Sequence, residues 1–106
     1  GYVAMLEMMG GHGGENFPKA QAIKDATMAY FIWKNMVPNH LFIHYNGAYH
    51  SNNFEGIVWY LKQKKSNIKI STISTVTQEK PNKLLEENKG LADFIICVDA
   101  DMTTTY

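Results

Sequence analysis

Cysteine is nearly absent from this chain. Cys97 is the single one among 106 residues, so no internal disulfide can form. That suits a reducing compartment, and equally an exported protein that needs no bridge. Cys97 lies within Phe94-Ile95-Ile96-Cys97-Val98, and a small buried hydrophobe is its expected role. No charge of one sign dominates: ten basic residues balance ten acidic ones. Bulk charge therefore favours neither nucleic acid nor an anionic membrane surface. No run is long and apolar enough to span a bilayer, and no signal peptide or lipidation motif is visible. Repeats, linkers and low-complexity segments are missing too. There is no initiator methionine: the chain opens at Gly1 inside an apparent helix and stops at Tyr106 without an obvious terminating element. The expectation is a single domain or part of a larger α/β domain.

What is present is enough apolar residue, 45%, to build a core. Residues 2–9 read as a helix, with Met5, Met8 and Met9 at helical spacing for packing. Gly10-Gly11-His12-Gly13-Gly14 ends it. This loop is no dinucleotide fingerprint, because it lacks the third spaced glycine and follows a helix, and it lacks the Gly-Lys-Ser/Thr ending of a phosphate loop. Residues 18–36 predict a second helix, with Asn16 as N-cap and Ala22, Ala26, Ala29, Trp33, Met36 and Val37 on one stripe. Pro38 and Asn39 stop it. Residues 40–45 are apolar on both faces, the pattern of a parallel strand covered on both sides. A third helix is expected from near Phe54. Asn52 and Glu55 would form its capping box, and Phe54, Ile57, Val58 and Leu61 its buried stripe. Lys62, Lys64 and Lys65 complement its C-terminal dipole.

Residues 68–76, rich in β-branched side chains, read as a second strand, and residues 91–98 as a third. A polar stretch with a helical turn at 83–88 separates them. This alternation predicts an α/β fold, a parallel sheet with flanking helices.

Parallel strands end along one edge, where ligands bind in open α/β sheets. His44 and the loop to His50 would end the first strand, and Asp99 and Asp101 the third. Imidazole and carboxylate suit zinc, manganese or iron, so His50, His44 and Asp99 are the candidate metal ligands. Asp99 and Asp101 also fit ordinary loop or capping roles. Tyr45 and Tyr49 bracket the Gly47 turn. A tyrosine phenolate can ligate haem iron, and either ring can instead wall a pocket. His12, set among four glycines, suits a loop that covers a ligand or a plain connector. His40, at the far end of its strand, reads as structural. Backbone N–H groups at 51–53 offer a place for a carboxylate or phosphate.

Together, His12-Gly13-Gly14, Ala20-Gln21, Lys24-Asp25-Ala26-Thr27-Met28-Ala29 and His44-Tyr45-Asn46-Gly47-Ala48-Tyr49-His50 resemble the C-terminal part of the ChaN-like haem-binding uptake proteins. That family is grouped with the Tiki metalloproteases and erythromycin-esterase-like proteins, and the group is marked by two Gly-x-x-His motifs on one α/β scaffold. Gly47-Ala48-Tyr49-His50 matches the second motif. The first is absent from this chain: either it lies upstream, or this chain cannot form the full site. The resemblance implies a non-enzymatic haem-binding protein of iron uptake, in the cell envelope as a periplasmic protein or outer-membrane lipoprotein. Membrane association would then depend on a lipid anchor outside this chain. His50 and Tyr49 would line the pocket, His12 would cover it, and His44 and Tyr45 would complete the candidates.

The alternative is a metal-dependent hydrolase like the Tiki or esterase branch. It would hold manganese, cobalt or zinc on His50, His44 and Asp99 to activate water. Haem or another small ligand is the expected partner, and nucleic acid is not. A three-strand sheet with open edges also favours self-association, so a homodimer is among the expected states.

Overall fold

The computed structural model describes Glu7 and residues 16–105. Apart from Glu7, the helix expected over 2–9 lies outside the described residues, as does the glycine loop with His12. The described chain is α/β, with two α-helices and a two-stranded parallel sheet. No helix among the described residues is long and apolar enough to cross a membrane.

Helix α1 spans Asn16–Asn35. Its buried residues are Asp25, Ala29 and Ile32, spaced i, i+4, i+7 on one face. This face is rotated from the expected stripe, because Trp33, Met36 and Val37 are exposed. The cause is Asp25: once its carboxylate is turned inward, Ile32, two turns on, follows it to the inside. The helix stops before Pro38, whose ring disfavours helical backbone in the residue preceding it. A turn follows, in which the His40 amide donates to the Val37 carbonyl, with Asn39 left-handed at φ 64°. His40 Nδ1 lies 2.9 Å from the Pro38 carbonyl, a local structural role.

The strand expected over 40–45 is not one. These residues join no sheet among the described residues, and Leu41 and Tyr45 are 86% and 90% exposed. A strand covered on both faces needs a ladder neighbour, and the sheet that does form pairs its two strands only with each other. Phe42 and His44, alternating with the outward Leu41, Ile43 and Tyr45, turn towards α1 instead.

The next helix starts later than expected. Two 3-10 turns, Ala48–His50 and Asn52–Phe54, come first, and α2 spans Ile57–Lys64 with Gly56 as N-cap. Asn52 does not form a capping box with Glu55, because its Oδ1 accepts from Ser74 Oγ at 2.9 Å. The Asn53 amide donates to the Leu91 carbonyl at 2.8 Å. Ile57, Val58 and Leu61 are buried as the spacing predicts, whereas Phe54 is exposed. Ala29 and Ile32 of α1 meet Ile57 and Leu61 of α2 in the core, flanked by Met28, Tyr60, Ile68 and Ile70. Lys62 and Lys64 occupy the last turn of α2, where cations are favoured.

Strands β1, Ile73–Gln78, and β2, Phe94–Asp99, pair in parallel from Ile73↔Phe94 to Gln78↔Asp99. Both start and end later than the apolar pattern suggests. Pairing is set by a clamp: Asp93 Oδ2 accepts from the Thr72 amide at 2.8 Å, and Thr72 Oγ1 accepts from the Asp93 amide at 3.1 Å. Ile68 and Ile70, ahead of the clamp, pack on the helices. In β2, Phe94 and Ile96 are exposed, and Cys97 is half-buried rather than buried as expected. The helical turn expected at 83–88 is a 3-10 turn at Glu86–Asn88.

Candidate functional site

A short bond joins the turn at residues 46–56 to α1. His50 Nδ1 lies 2.6 Å from Asp25 Oδ1, with side chains 21% and 1% exposed respectively. A carboxylate only accepts, so Nδ1 carries the proton of this bond. The approach is close enough to require glycine at 56. A Cβ there would sit 2.3 Å from the His50 carbonyl oxygen and 2.9 Å from Asp25 Oδ2, and the backbone has φ +57°.

A second imidazole is fixed in the same way. Asn46 Nδ2 donates to the Gly47 carbonyl at 2.8 Å and to Ser51 Oγ at 3.1 Å. A carbonyl cannot donate, so these bonds identify the amide nitrogen and leave Oδ1 facing His44 Nδ1 at 3.3 Å. His44 Nδ1 is therefore the donor and Nε2 the lone-pair atom. Among the described residues, His44 Nε2 has no hydrogen-bond partner. Asn46 thus ties His44 to Ser51, the residue next to His50.

His44 lines an open groove of about 480 Å³ along α1, with Thr27, Met28, Phe31, Ile32, Asn35 and Phe42. Its walls are mostly apolar. Thr27 Oγ1 and Asn35 Nδ2 are turned back to the Ile23 and Phe31 carbonyls, which leaves the imidazole as the groove's open polar group. A mostly apolar groove of this size with one placed polar group suits a flat apolar ligand. A porphyrin brings four equatorial nitrogens of its own, so one protein imidazole suffices to hold its iron. Among the described residues, no three His, Cys, Asp or Glu side chains converge as a ligand set for a bare metal ion.

The structure ties His44, through Asn46 and Ser51, to the turn that carries His50, and leaves the other candidates apart from it. Tyr45 and Tyr49 are exposed. Asp99 ends β2, with Oδ1 accepting from the Asp101 amide at 2.8 Å. The histidine turn reaches the sheet at Ser74 and Leu91, near the starts of the strands. Asp99 lies four residues beyond Ile95, the register partner of Ser74, or ~13 Å at ~3.3 Å per residue. The common edge expected from topology is not formed, because residues 40–45 do not enter the sheet. His12 lies outside the described residues. Asp25, Asn46 and Gly56 were missed as site residues from sequence. Asp25 had a signal: a carboxylate spaced i, i+4 with Ala29 on an apolar helix face is buried only with a partner.

The described α/β chain thus holds two imidazoles by side-chain hydrogen bonds at Nδ1, one of them lining an apolar groove. The chain is a member of the ChaN family: the family model described as haem-binding uptake, Tiki superfamily, ChaN, matches residues 2–61, more than half of its length. The matched stretch contains Asp25, His44, Asn46, His50 and Gly56 and ends before β1. Neither the curated proteins nor the solved structures contain a match to the chain.

Proposed function

We propose that the protein binds haem as cargo for iron uptake at the cell envelope. The observation that carries this reading is the apolar groove lined by His44, whose Nδ1 is held by Asn46. The family's description as haem-binding uptake supports it. Met28, Phe31, Ile32 and Phe42 would cover the porphyrin face. His44 is the imidazole lining the groove, and His50 is the histidine of the Gly-x-x-His motif. Tyr45, Tyr49 and His12 are the further candidates for the pocket rim.

Titrating haem into the purified protein tests the proposal. The expected result is a saturable Soret shift that weakens at least tenfold in His44→Ala or His50→Ala. A protein with no Soret shift, or one equally strong in both variants, would sink it. Tyr45→Phe and Tyr49→Phe in the same titration separate phenolate from imidazole ligation. Cell fractionation checks the envelope location, and recovery solely in the soluble cytosolic fraction counts against it.

One observation favours a second reading, a metal-dependent hydrolase. A carboxylate-oriented imidazole such as Asp25–His50 also serves zinc, manganese or cobalt sites. Elemental analysis and a chelator-sensitive ester or peptide hydrolysis assay decide it. Metal-free protein without turnover removes this reading.

A further inference from the structure

We propose that residues 41–45 are a docking edge for a second copy of this chain: two such segments pair antiparallel about Ile43 and make the protein a two-fold dimer. The inference does not depend on the haem reading. Three observations carry it. First, the backbone of this segment is unpaired. Among the described residues, no backbone N–H or carbonyl of residues 41–45 makes a hydrogen bond to another protein group. The side chains alternate. Leu41, Ile43 and Tyr45 are 86%, 65% and 90% exposed, while Phe42 and His44 line the groove along α1. A period of two is that of an extended chain, so these open donors and acceptors form an edge that a strand can join.

Second, nothing guards this edge. Natural edge strands are kept from pairing by charged side chains, lysine above all, or by proline. Between Lys34 and Glu55 the chain has no lysine, arginine, aspartate or glutamate, and Pro38 precedes the segment without interrupting it. The formal net charge of the whole chain is zero, so two copies do not repel each other at long range. A foreign strand selected by charge would find none here to read.

Third, the segment is complementary to itself. Antiparallel pairing about Ile43 sets Ile43 opposite its own copy, Leu41 opposite Tyr45, and Phe42 opposite His44. Residues directly opposite share a face of the ribbon and pack on each other. The three outward apolar side chains therefore cover their counterparts, aliphatic against aromatic at both ends. On the other face the partner's Phe42 comes beside His44, so each copy adds an aromatic wall to the other's groove. Because the same patch is used on both copies, the contact closes at two.

Sedimentation equilibrium of the wild-type chain, of Ile43→Lys, of Ile43→Glu and of an equimolar mixture of the two variants tests the inference. Hydrogen exchange of the amides of residues 41–45 is followed across a dilution series. The expected wild-type result is a dimer whose 41–45 amides are protected, with protection lost on dilution. Each charged variant should self-associate about tenfold or more weakly, because like charges meet at the two-fold axis, and the mixture should restore the dimer by pairing opposite charges. Ile43 is largely exposed, so both variants should fold as wild type by circular dichroism. If they do not, the wild-type exchange series carries the comparison. A monomeric wild-type chain overturns the inference and leaves the edge to a strand of another protein. A dimer with unprotected 41–45 amides, a dimer indifferent to both charges, a mixture that stays monomeric, or open-ended association overturns it as well.

Discussion

Gly56 is where the site's geometry depends most on one residue. Its φ of +57° and ψ of −121° belong to a region that side chains rarely enter. A Cβ would also collide with the His50 backbone and the Asp25 carboxylate. Gly56→Ala is therefore expected to cost on the order of 2–3 kcal/mol from strain alone and to displace His50 from Asp25. Urea unfolding measures the first effect and the His50 tautomer spectrum the second; an alanine variant as stable as wild type contradicts the geometry. Pattern reading singles out the histidines because imidazole chemistry is recognisable in isolation. It passes over Gly56 and Asn46 because their roles depend on neighbours the linear chain does not bring together.

Among the elements, the helices were more legible than the strands. Helix periodicity is local, so the buried Ile57, Val58 and Leu61 follow from spacing. Strand status depends on a partner elsewhere in the chain, which is why residues 40–45, as apolar as β2, remain unpaired among the described residues. The loop after β1 shows the same dependence. Gln78, buried at the end of β1, donates from Nε2 to the Lys80 and Lys83 carbonyls at 3.0 and 2.8 Å. Its Oε1 accepts from the Leu85 amide and Asn88 Nδ2 at 3.0 and 2.9 Å. All four hydrogen-bonding positions of the amide are used. Gln78→Leu leaves the loop's donors and acceptors unsatisfied, and a loss of roughly 2–3 kcal/mol is expected. Hydrogen exchange should speed up across residues 80–88 while the α1–α2 core stays protected; uniform protection in the variant contradicts this.

For the molecule as a whole, the fully buried apolar set is small: Ala29, Ile32, Ile57, Val58 and Leu61 among the described residues. Leu61 lies on the seam between α1 and α2. Leu61→Ala removes about 2–5 kcal/mol of packing, a large share of the roughly 5–15 kcal/mol that holds a domain folded. Thermal melts should show a sharply lowered midpoint or no cooperative transition, and a midpoint within a few degrees of wild type would show that the core lies elsewhere.

The two bonds that tie the histidine turn to the sheet, Asn52 to Ser74 and the Asn53 amide to the Leu91 carbonyl, give the molecule a built-in mechanical gauge. A ligand that pulls on His50 also strains these stitches two and three residues along the chain. The exchange rate of the Asn53 amide is therefore expected to change when a ligand engages this turn, a readout from the sheet side with no probe attached to either histidine.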